Sequence, residues 1–160
     1  MHASVATAVR VGVISDTHGL LRPQALAALR GAAHLVHAGD IGKPEVLRTL
    51  RAVAPLTAVR GNNDRDAWAR AIPEADSVRV GGVAIYVLHD LKTLGLDPAA
   101  AGFGVVVSGH SHRPRIEERD GVLYLNPGSA GPRRFRLPVS VALLEVGAGR
   151  VRARIELLEV

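Results

Sequence analysis

The fold class of this chain follows from VRVGVISDTHG, residues 9–19. The apolar, β-branched run over Val9–Ser15 predicts a buried strand. That strand ends at Asp16 and His18, which share a loop with a glycine. Because ligands collect at the carboxyl ends of strands in parallel sheets, this junction is a candidate binding edge.

The segments after this stretch alternate helix and strand. Pro23–Arg30 and Pro44–Ala52 predict helices, each with a proline in its first turn. Leu35–Ala38 and Leu56–Arg60 predict a second and a third strand. This alternation implies parallel pairing with right-handed helical crossovers.

The second half of the chain predicts further strands and hairpins. Gly81-Gly82, Asp120-Gly121 and the Gly147–Gly149 segment mark the turns. The predicted strands are Ser77–Val80, Val83–His89, Gly104–Ser108, Arg115–Arg119, Val122–Asn126, Val139–Val146 and Val151–Leu158. About nine or ten strands are too many for one small sheet. We therefore expect an α/β fold in which residues 1–160 form a single domain of two mixed β-sheets flanked by three helices, an αββα sandwich.

Composition limits the class of protein. The 160 residues are 48% hydrophobic and 22% charged, as in globular domains and unlike disordered chains. The absence of cysteine excludes disulfides and fits a cytoplasmic location. The first ten residues show no secretory pattern, and no apolar run is long enough to span a membrane. A net charge of +5 favours an anionic partner, such as a phosphate ester or nucleic acid.

Five loops should meet at the carboxyl ends of the predicted strands. They carry Asp16 and His18; Asp40; Asn62 and Asp64; His89 and Asp90; and His110 and His112. Imidazole, carboxylate and amide groups together suit Mn, Fe, Zn or Ni. Their number exceeds the needs of one ion. Two ions about 3.5–4 Å apart form a clamp for displacement at phosphorus and turn a bridging water into a nucleophile.

The series D-x-H, G-D, G-N-x-D, H and G-H-x-H resembles that of the calcineurin-like metallophosphoesterases. More narrowly, the chain resembles the small YfcE-like phosphodiesterases from about Val9 to Pro132. The matching segments are SDTHG (15–19), HAGD (37–40), GNND (61–64), GHSH (109–112) and NPGS (126–129). The resemblance implies the metallophosphoesterase sandwich and a hydroxide, bridging two divalent ions, that hydrolyses a small phosphate ester. Mn²⁺ is the first expectation, with Ni²⁺, Fe²⁺, Zn²⁺ or Mg²⁺ as alternatives, and homodimers or homotetramers are expected.

Carried over residue by residue, the resemblance implies two metal sites that share Asp40. The first set is Asp16, His18, Asp40 and His112, and the second is Asp40, Asn62, His89 and His110. We assign catalytic roles to Asp40, Asn62 and His110, and contacts with the substrate to Asn63 and Arg134. Asn63 stands where many superfamily members carry a histidine that protonates the leaving group. Because a neutral amide cannot act as a general acid, we expect activity to be best on esters with good leaving groups.

Several of the remaining polar and aromatic residues favour structural roles. His37 lies on a buried strand and is expected to be a core histidine, whereas His2 and His34 are expected at the surface. Asp64 favours a turn or cap before a helix over Arg65–Ala71. Trp68 is expected to pack that helix, with a lid over the metals as the alternative. The cluster Arg133, Arg134 and Arg136 is either a solvated face or the source of a phosphate clamp.

Two other functions remain as alternatives. The retromer subunit of eukaryotic membrane sorting resembles this family and binds partner proteins, so a non-catalytic scaffold is one alternative. Scaffolds lose metal ligands first, whereas all seven ligand positions here hold competent residues. A nuclease is the second alternative. The 3% aromatic content and the lack of a separate nucleic-acid domain argue against it.

Overall fold

Two five-stranded sheets form the body of the protein in the computed structural model, which describes residues 8–160. His2, expected at the surface, and residues 1–7 as a whole lie outside this described part. The first sheet contains β1 Val9–Ile14, β2 His34–His37, β3 Leu56–Ala58, β9 Ser140–Gly147 and β10 Arg150–Leu157. The second contains β4 Ala75–Val80, β5 Val83–Leu88, β6 Val105–Val107, β7 Arg115–Arg119 and β8 Val122–Asn126. The helices are α1 Pro23–Leu29 and α2 Pro44–Val53, with 3₁₀ helices at Ala67–Ala71 and Leu91–Thr93.

Both sheets are mixed. In the first sheet the order is β10-β9-β1-β2-β3, with β1, β2 and β3 parallel and β9 antiparallel to β1. In the second sheet the order is β4-β5-β6-β8-β7, with β5, β6 and β8 parallel and antiparallel strands at both edges. The predicted α/β sandwich of two mixed sheets is therefore confirmed. Each sheet delivers the carboxyl ends of its parallel strands to a loop cluster, and these loops meet.

The alternation of side chains along each strand builds a core between the sheets. Val11 and Val13 of β1 pack with Ile85 and Val105 of the second sheet. All four side chains are fully buried. Burying a valine or isoleucine side chain contributes about 1.5–3 kcal/mol, so this layer holds the two sheets together.

Helices α1 and α2 cover the outer face of the first sheet. Each begins at a proline, whose fixed φ and missing N–H suit the first turn. Leu29 of α1 and Leu50 of α2 are fully buried against Ile14 and Leu35. The longest helix has 10 residues, and no helix in the described part is long and apolar enough to cross a membrane.

The outer face of the second sheet is covered differently. Leu91 and Leu94 pack there with Tyr86 and Tyr124, and they belong to an irregular segment that includes a short 3₁₀ helix. The helix predicted over Arg65–Ala71 is likewise only a 3₁₀ helix. The 3₁₀ helix Leu91–Thr93 lines two clefts beside the loops at the carboxyl ends of the strands.

Strand β10 forms one edge of the first sheet. Arg150, Arg152 and Arg154 alternate along it with Val151 and Ala153. The arginines are exposed and the apolar residues are half-buried. The strand therefore presents a row of arginines, of which Arg154 is paired with Glu156 at 2.9 Å.

Candidate metal centre and active site

Loops from both sheets meet at one end of the sandwich. The polar residues there follow β1, β2, β5 and β6, and they are Asp16, His18, Asp40, His89, His110 and His112. Backbone bonds join the loops within each sheet, from Asp16 N to Gly39 O at 2.9 Å and from Gly109 N to His89 O at 2.9 Å. Residues up to 96 positions apart in the sequence thus share one site.

The Asp16 carboxylate lies at the centre of three imidazoles. Its Oδ1 is 3.4 Å from His112 Nε2 and 3.9 Å from the Nε2 atoms of His18 and His89. Its Oδ2 accepts hydrogen bonds from Ser15 Oγ at 2.8 Å and from the His110 backbone N–H at 3.1 Å. One oxygen is therefore fixed by the protein, while the other is buried and accepts no hydrogen bond from residues 8–160.

Asp40 faces two of the same imidazoles. Its Oδ2 lies 3.4 Å from His89 Nε2 and 3.7 Å from His18 Nε2. Asn63 donates its backbone N–H to Oδ1 at 2.9 Å and its side-chain amide to Oδ2 at 3.0 Å. Burial raises the pKa of Asp40, but the bonds to His89 and Asn63 outweigh it and hold this pKa far below the usual range. The group is an anion at neutral pH.

His89 is oriented by the backbone of the first sheet. Its Nδ1–H donates to Ala38 O at 2.7 Å, which directs Nε2 at Asp40 and to within 3.3 Å of His110 Nδ1. A carbonyl behind an imidazole is the usual support of a metal-ligating histidine. Burial lowers the pKa of His89, but the neighbouring Asp40 and Asp16 carboxylates raise it above its usual value.

Five of the predicted ligands have left-handed backbone conformations. The φ angles are 54° at Asp16, 47° at His18, 55° at Asp40, 73° at His110 and 62° at His112. Residues other than glycine rarely adopt such angles, each costing on the order of 1–3 kcal/mol, and they concentrate at functional sites. Asp16, Asp40 and His112 are buried and His18 is half-buried, whereas His110 is exposed at the edge of the cluster.

The side chains present fit divalent ions. Asp16, His18 and His112 form one group whose potential ligand atoms lie within 4.8 Å of one another, and Asp16, Asp40 and His89 form a second. Within the described residues, Asp16 Oδ1, His18 Nε2 and His112 Nδ1 are buried without a hydrogen-bond partner. Buried polar atoms cost free energy unless a partner satisfies them, and a cation would do so here. Asp16 is common to both groups, and Asp40 faces imidazoles of both predicted sets.

The remaining predicted site residues lie at the margin of this cluster. The side chains of Asn62 and Asn63 are exposed, and it is Asn63 that bonds to Asp40. Arg134 is exposed on the turn after Gly131, whose backbone abuts Asp16 and Thr17. Among residues 8–160, Arg134 forms no ion pair. The Trp68 side chain packs on the core of the first sheet rather than over the cluster.

Several polar residues support the loops from behind. The buried Asp64 accepts backbone N–H bonds from Ile41, Gly42 and Gly61 at 2.9–3.0 Å and so joins two ligand-bearing loops. Sequence reasoning placed Asp64 in a turn but missed this clamp. Its position two residues after the predicted ligand Asn62, within Gly-Asn-x-Asp, was the available signal.

The buried Asn126 braces the loop that carries His110 and His112. Its amide donates to Gly109 O at 3.0 Å and to Ser111 Oγ at 3.1 Å, and its Oδ1 accepts from Gly128 N at 2.9 Å. Ser129 Oγ donates to Asp16 O at 3.0 Å. The Asn-Pro-Gly-Ser segment thus braces the site.

His37 is a core histidine, as predicted. Its Nδ1 accepts from Gly39 N at 3.0 Å, so Nε2 carries the proton and donates to Thr17 Oγ1 at 3.0 Å. Thr17 in turn donates to Ile41 O at 2.8 Å. Burial lowers the pKa of His37 to about 4. The neutral ring therefore connects the loops that present Asp16 and Asp40.

Two clefts flank the cluster and share Asp90. One, of about 400 Å³, lies beside His110 and Asn126. The other, of about 330 Å³, lies beside Asn62 and His89. Both fall within the size range of small-molecule sites, about 300–1,000 Å³. A group bound at the cluster therefore has space on either side.

A two-sheet sandwich whose loops bring imidazole and carboxylate groups together at one end is a fold suited to binding divalent cations. The profile of the calcineurin-like phosphoesterase superfamily domain matches residues 9–149. The chain therefore belongs to the calcineurin-like phosphoesterase superfamily. This membership supports the hydrolysis of phosphate esters as its activity.

Individual relatives agree with this assignment. The chain is 36% identical to a probable metallophosphoesterase from Methanothermobacter thermautotrophicus, covering 91% of this chain and 90% of the relative. It is similar in structure to the Escherichia coli phosphoesterase Yfce, with a TM-score of 0.66 and 26% identity over 85% of this chain and 88% of that one. Vacuolar protein sorting 29 from Cryptosporidium parvum has a TM-score of 0.75 and 19% identity over 96% of this chain and 99% of that one, which shows a shared fold. The predicted resemblance to the superfamily and to YfcE-like proteins is confirmed.

Proposed function

We propose that this protein is a dinuclear metal-dependent phosphodiesterase acting on a small substrate. The observation that carries the proposal is the unpartnered, buried Oδ1 of Asp16, within 3.9 Å of three imidazole Nε2 atoms. An anionic oxygen surrounded by nitrogen donors is a coordination set that fits a divalent cation.

The contacts of Asp16 and Asp40 and the membership of the family support two sets of ligands. Asp16, His18 and His112 would hold one ion and Asp40, His89 and His110 the second, with Asp40 shared and Asn62 completing the second set. Two divalent ions, Mn²⁺ first among the candidates, would supply Lewis-acid polarisation of the phosphate and an activated water. His89 would present Nε2 to its ion because Ala38 O holds the proton on Nδ1.

The residues around the ligands would position the substrate. Asn63 donates its backbone and side-chain N–H groups to Asp40, which supports a shared role for that carboxylate, and its amide would also face a substrate oxygen. Arg134, exposed beside the Asp16 loop, would bind a non-reacting phosphate oxygen. Because Asn63 cannot donate a proton, aryl esters should react faster than alkyl esters.

The two clefts support a diester over a monoester as substrate. A phosphate diester carries an organic group on each of two oxygens, and clefts lie on both sides of the His89–Asp90 loop. Their volumes suit small groups rather than a polynucleotide. The likeness to Vacuolar protein sorting 29 is in the fold alone, so the scaffold function is not favoured.

Hydrolysis of bis(p-nitrophenyl) phosphate by metal-stripped protein, with and without added Mn²⁺, tests the proposal. We expect turnover only with the metal, and a loss of at least a hundredfold in Asp40→Asn, because the variant lacks a charged ligand. Asp120→Asn is the matched control. Asp120 is also an aspartate with positive φ, but it lies in the exposed β7–β8 turn and should leave the rate unchanged.

Metal binding measured by calorimetry separates the alternatives. Two equivalents bound per chain, with turnover, would support the proposal. Absence of divalent-ion binding would overturn it and favour the scaffold.

A further inference from the structure

The larger cleft has an apolar wall and a basic rim. Leu91 and Tyr124, which pack together on the outer face of the second sheet, line it with the buried Leu125. Its floor is formed by the loop that carries His110, so it begins where the predicted second metal set ends. A group bound in this cleft would be attached to a phosphate at the cluster.

Charged side chains around the cleft are unequal in number. Four are cationic, Lys92, Arg113, Arg115 and Arg119, and two are acidic, Asp90 and Glu117. The excess of positive charge favours an anionic ligand over a neutral one.

Some of these charges already have partners. Glu117 pairs with Arg115 at 3.1 Å and with Arg119 at 3.3 Å, and Arg119 also stacks at 4.3 Å over the ring of Tyr124. By contrast, the Lys92 and Arg113 side chains form no ion pair or hydrogen bond with any residue in the described range 8–160. Their backbone N–H groups are held by Asp90 and Ser111, which fixes both residues at the rim.

We propose that this cleft binds one organic group of the phosphodiester, and that this group is apolar and bears a second negative charge. Leu91 and Tyr124 contact its apolar part, and Lys92 and Arg113 bind its anionic part. The inference rests on the proposed function, because it takes the reacting phosphate to lie at the metal cluster.

Two matched aryl diesters test the charge requirement. Both 4-nitrophenyl phenyl phosphate and 4-nitrophenyl 4-carboxyphenyl phosphate release 4-nitrophenolate, and they differ only by a carboxylate on the other ring. We expect the carboxylated ester to have a kcat/KM about tenfold higher, the usual value of a charge-assisted hydrogen bond. The double variant Lys92→Gln/Arg113→Gln should lose this preference and keep its rate on the uncharged ester.

The control is the double variant Arg150→Gln/Arg152→Gln. These exposed arginines lie on β10, where Arg150 pairs with Gly147 at the end of the sheet opposite Asp16. The control variant removes the same net charge and should retain the preference for the carboxylated ester. A local contact in the cleft is thereby distinguished from a general effect of the protein's net charge. Equal kcat/KM for the two esters in the unaltered protein, or a preference that survives in the cleft variant, would overturn the inference.

Ligand binding gives a readout that does not depend on turnover. Calorimetry with 4-carboxyphenylphosphonate and phenylphosphonate should show about tenfold tighter binding of the carboxylated ligand, lost in the cleft variant. If neither ester is hydrolysed with any divalent ion while this difference persists, the proposed function fails and the cleft assignment stands. If the esters are hydrolysed and the phosphonates bind equally, the cleft assignment alone fails.

Discussion

The two ends of the sandwich use the same rare backbone conformation for opposite purposes. At one end, three hairpins turn through consecutive residues of positive φ, Gly81-Gly82, Asp120-Gly121 and Ala148-Gly149. Such pairs form the two-residue turns that match strand twist. At the other end, positive φ falls on aspartates and histidines of the site loops, either alone, as at Asp16 and His110, or beside a glycine, as in His18-Gly19 and Gly39-Asp40.

The difference between the ends lies in what holds the strained residues. The hairpin residues are exposed, and their turns need only the strands on either side. At the site end, Asp16 and Asp40 are buried, and the hydrogen bonds of His37, Asp64 and Asn126 fix the loops around them. A strained residue in a hairpin turn is held by the two strands next to it. A strained residue that presents a candidate ligand is held by hydrogen bonds from other parts of the chain.

The largest effect should come from crowding the site end. A Cβ on Gly61 would overlap the backbone and carboxylate of Asp40. We therefore expect Gly61→Ala to weaken metal binding by about a hundredfold, the upper range for supporting residues. Gly95→Ala is the control, because a Cβ there meets only Thr93 O at 3.9 Å. Calorimetry measures the Mn²⁺ affinity of both variants. Equal affinities would contradict the prediction that displacing Asp40 weakens metal binding.

Removing the brace of the histidine loop should come next. Asn126→Ala leaves Gly109 O and Gly128 N without their buried partner, and each lost bond costs about 1 kcal/mol or more. We expect the free energy of unfolding to fall by about 2 kcal/mol in urea denaturation. Gln24→Ala, which removes an exposed amide bonded to Glu159 O, should cost less than about 0.5 kcal/mol. Similar losses of unfolding free energy in the two variants would show that Asn126 stabilises the protein no more than the exposed Gln24 does.

A smaller effect compares the two ends of one strand. His37 at the site end of β2 is buried with its pKa lowered to about 4, whereas His34 at the other end is half-buried beside Thr57. A neutral His37 stabilises the fold fully above the unfolded pKa near 6.5, and this stability is lost as pH falls toward 4. The free energy of unfolding should therefore fall by about 1 kcal/mol between pH 7 and pH 5.5.

Urea denaturation at several pH values checks this prediction. The pH dependence should become much shallower in His37→Gln and only slightly shallower in His34→Gln, because burial lowers the pKa of the half-buried His34 less strongly than that of His37. An identical pH profile in the unaltered protein and His37→Gln would contradict it.

The smallest effect should be a gain at the hairpin end. Ala148 has φ 53° and is exposed. Its left-handed conformation is therefore strained, and its side chain has no role in the site that would require this strain. Ala148→Gly should stabilise the protein by about 0.5 kcal/mol, the strain relieved less the added chain entropy. Thermal denaturation would measure this shift, and destabilisation would show that this turn is not strained.

The positions of the site residues could be predicted from the sequence where each residue directly follows the end of a strand. Asp16, Asp40, His89, His110 and His112 each follow a strand, so topology alone brings them together. Their left-handed backbones could not be read from the sequence, because aspartate and histidine do not mark this conformation as glycine does. The bond from Asn63 to Asp40 was also missed, since the direction of adjacent loop side chains depends on local turn geometry.

Helical content was predicted less well where the chain is short of apolar residues. The third predicted helix became the 3₁₀ helix Ala67–Ala71, with Ala69 as its buried residue. Tertiary packing, rather than propensity, decides the length of such a marginal element. The clefts lie instead at the other 3₁₀ helix, Leu91–Thr93, and neither they nor the charges that line them could be predicted from a pattern in the sequence.

The arginines along β10 place part of the positive net charge away from the active site. An open strand edge with unpaired backbone groups is a template on which another chain can add a strand. Arg150 and Arg152 place like charges along that edge, whereas Arg154 is paired with Glu156 at 2.9 Å. A second copy that approached this edge in register would therefore meet repulsion from these two arginines, so part of the excess positive charge would oppose self-association into extended sheets, independently of what the active site binds.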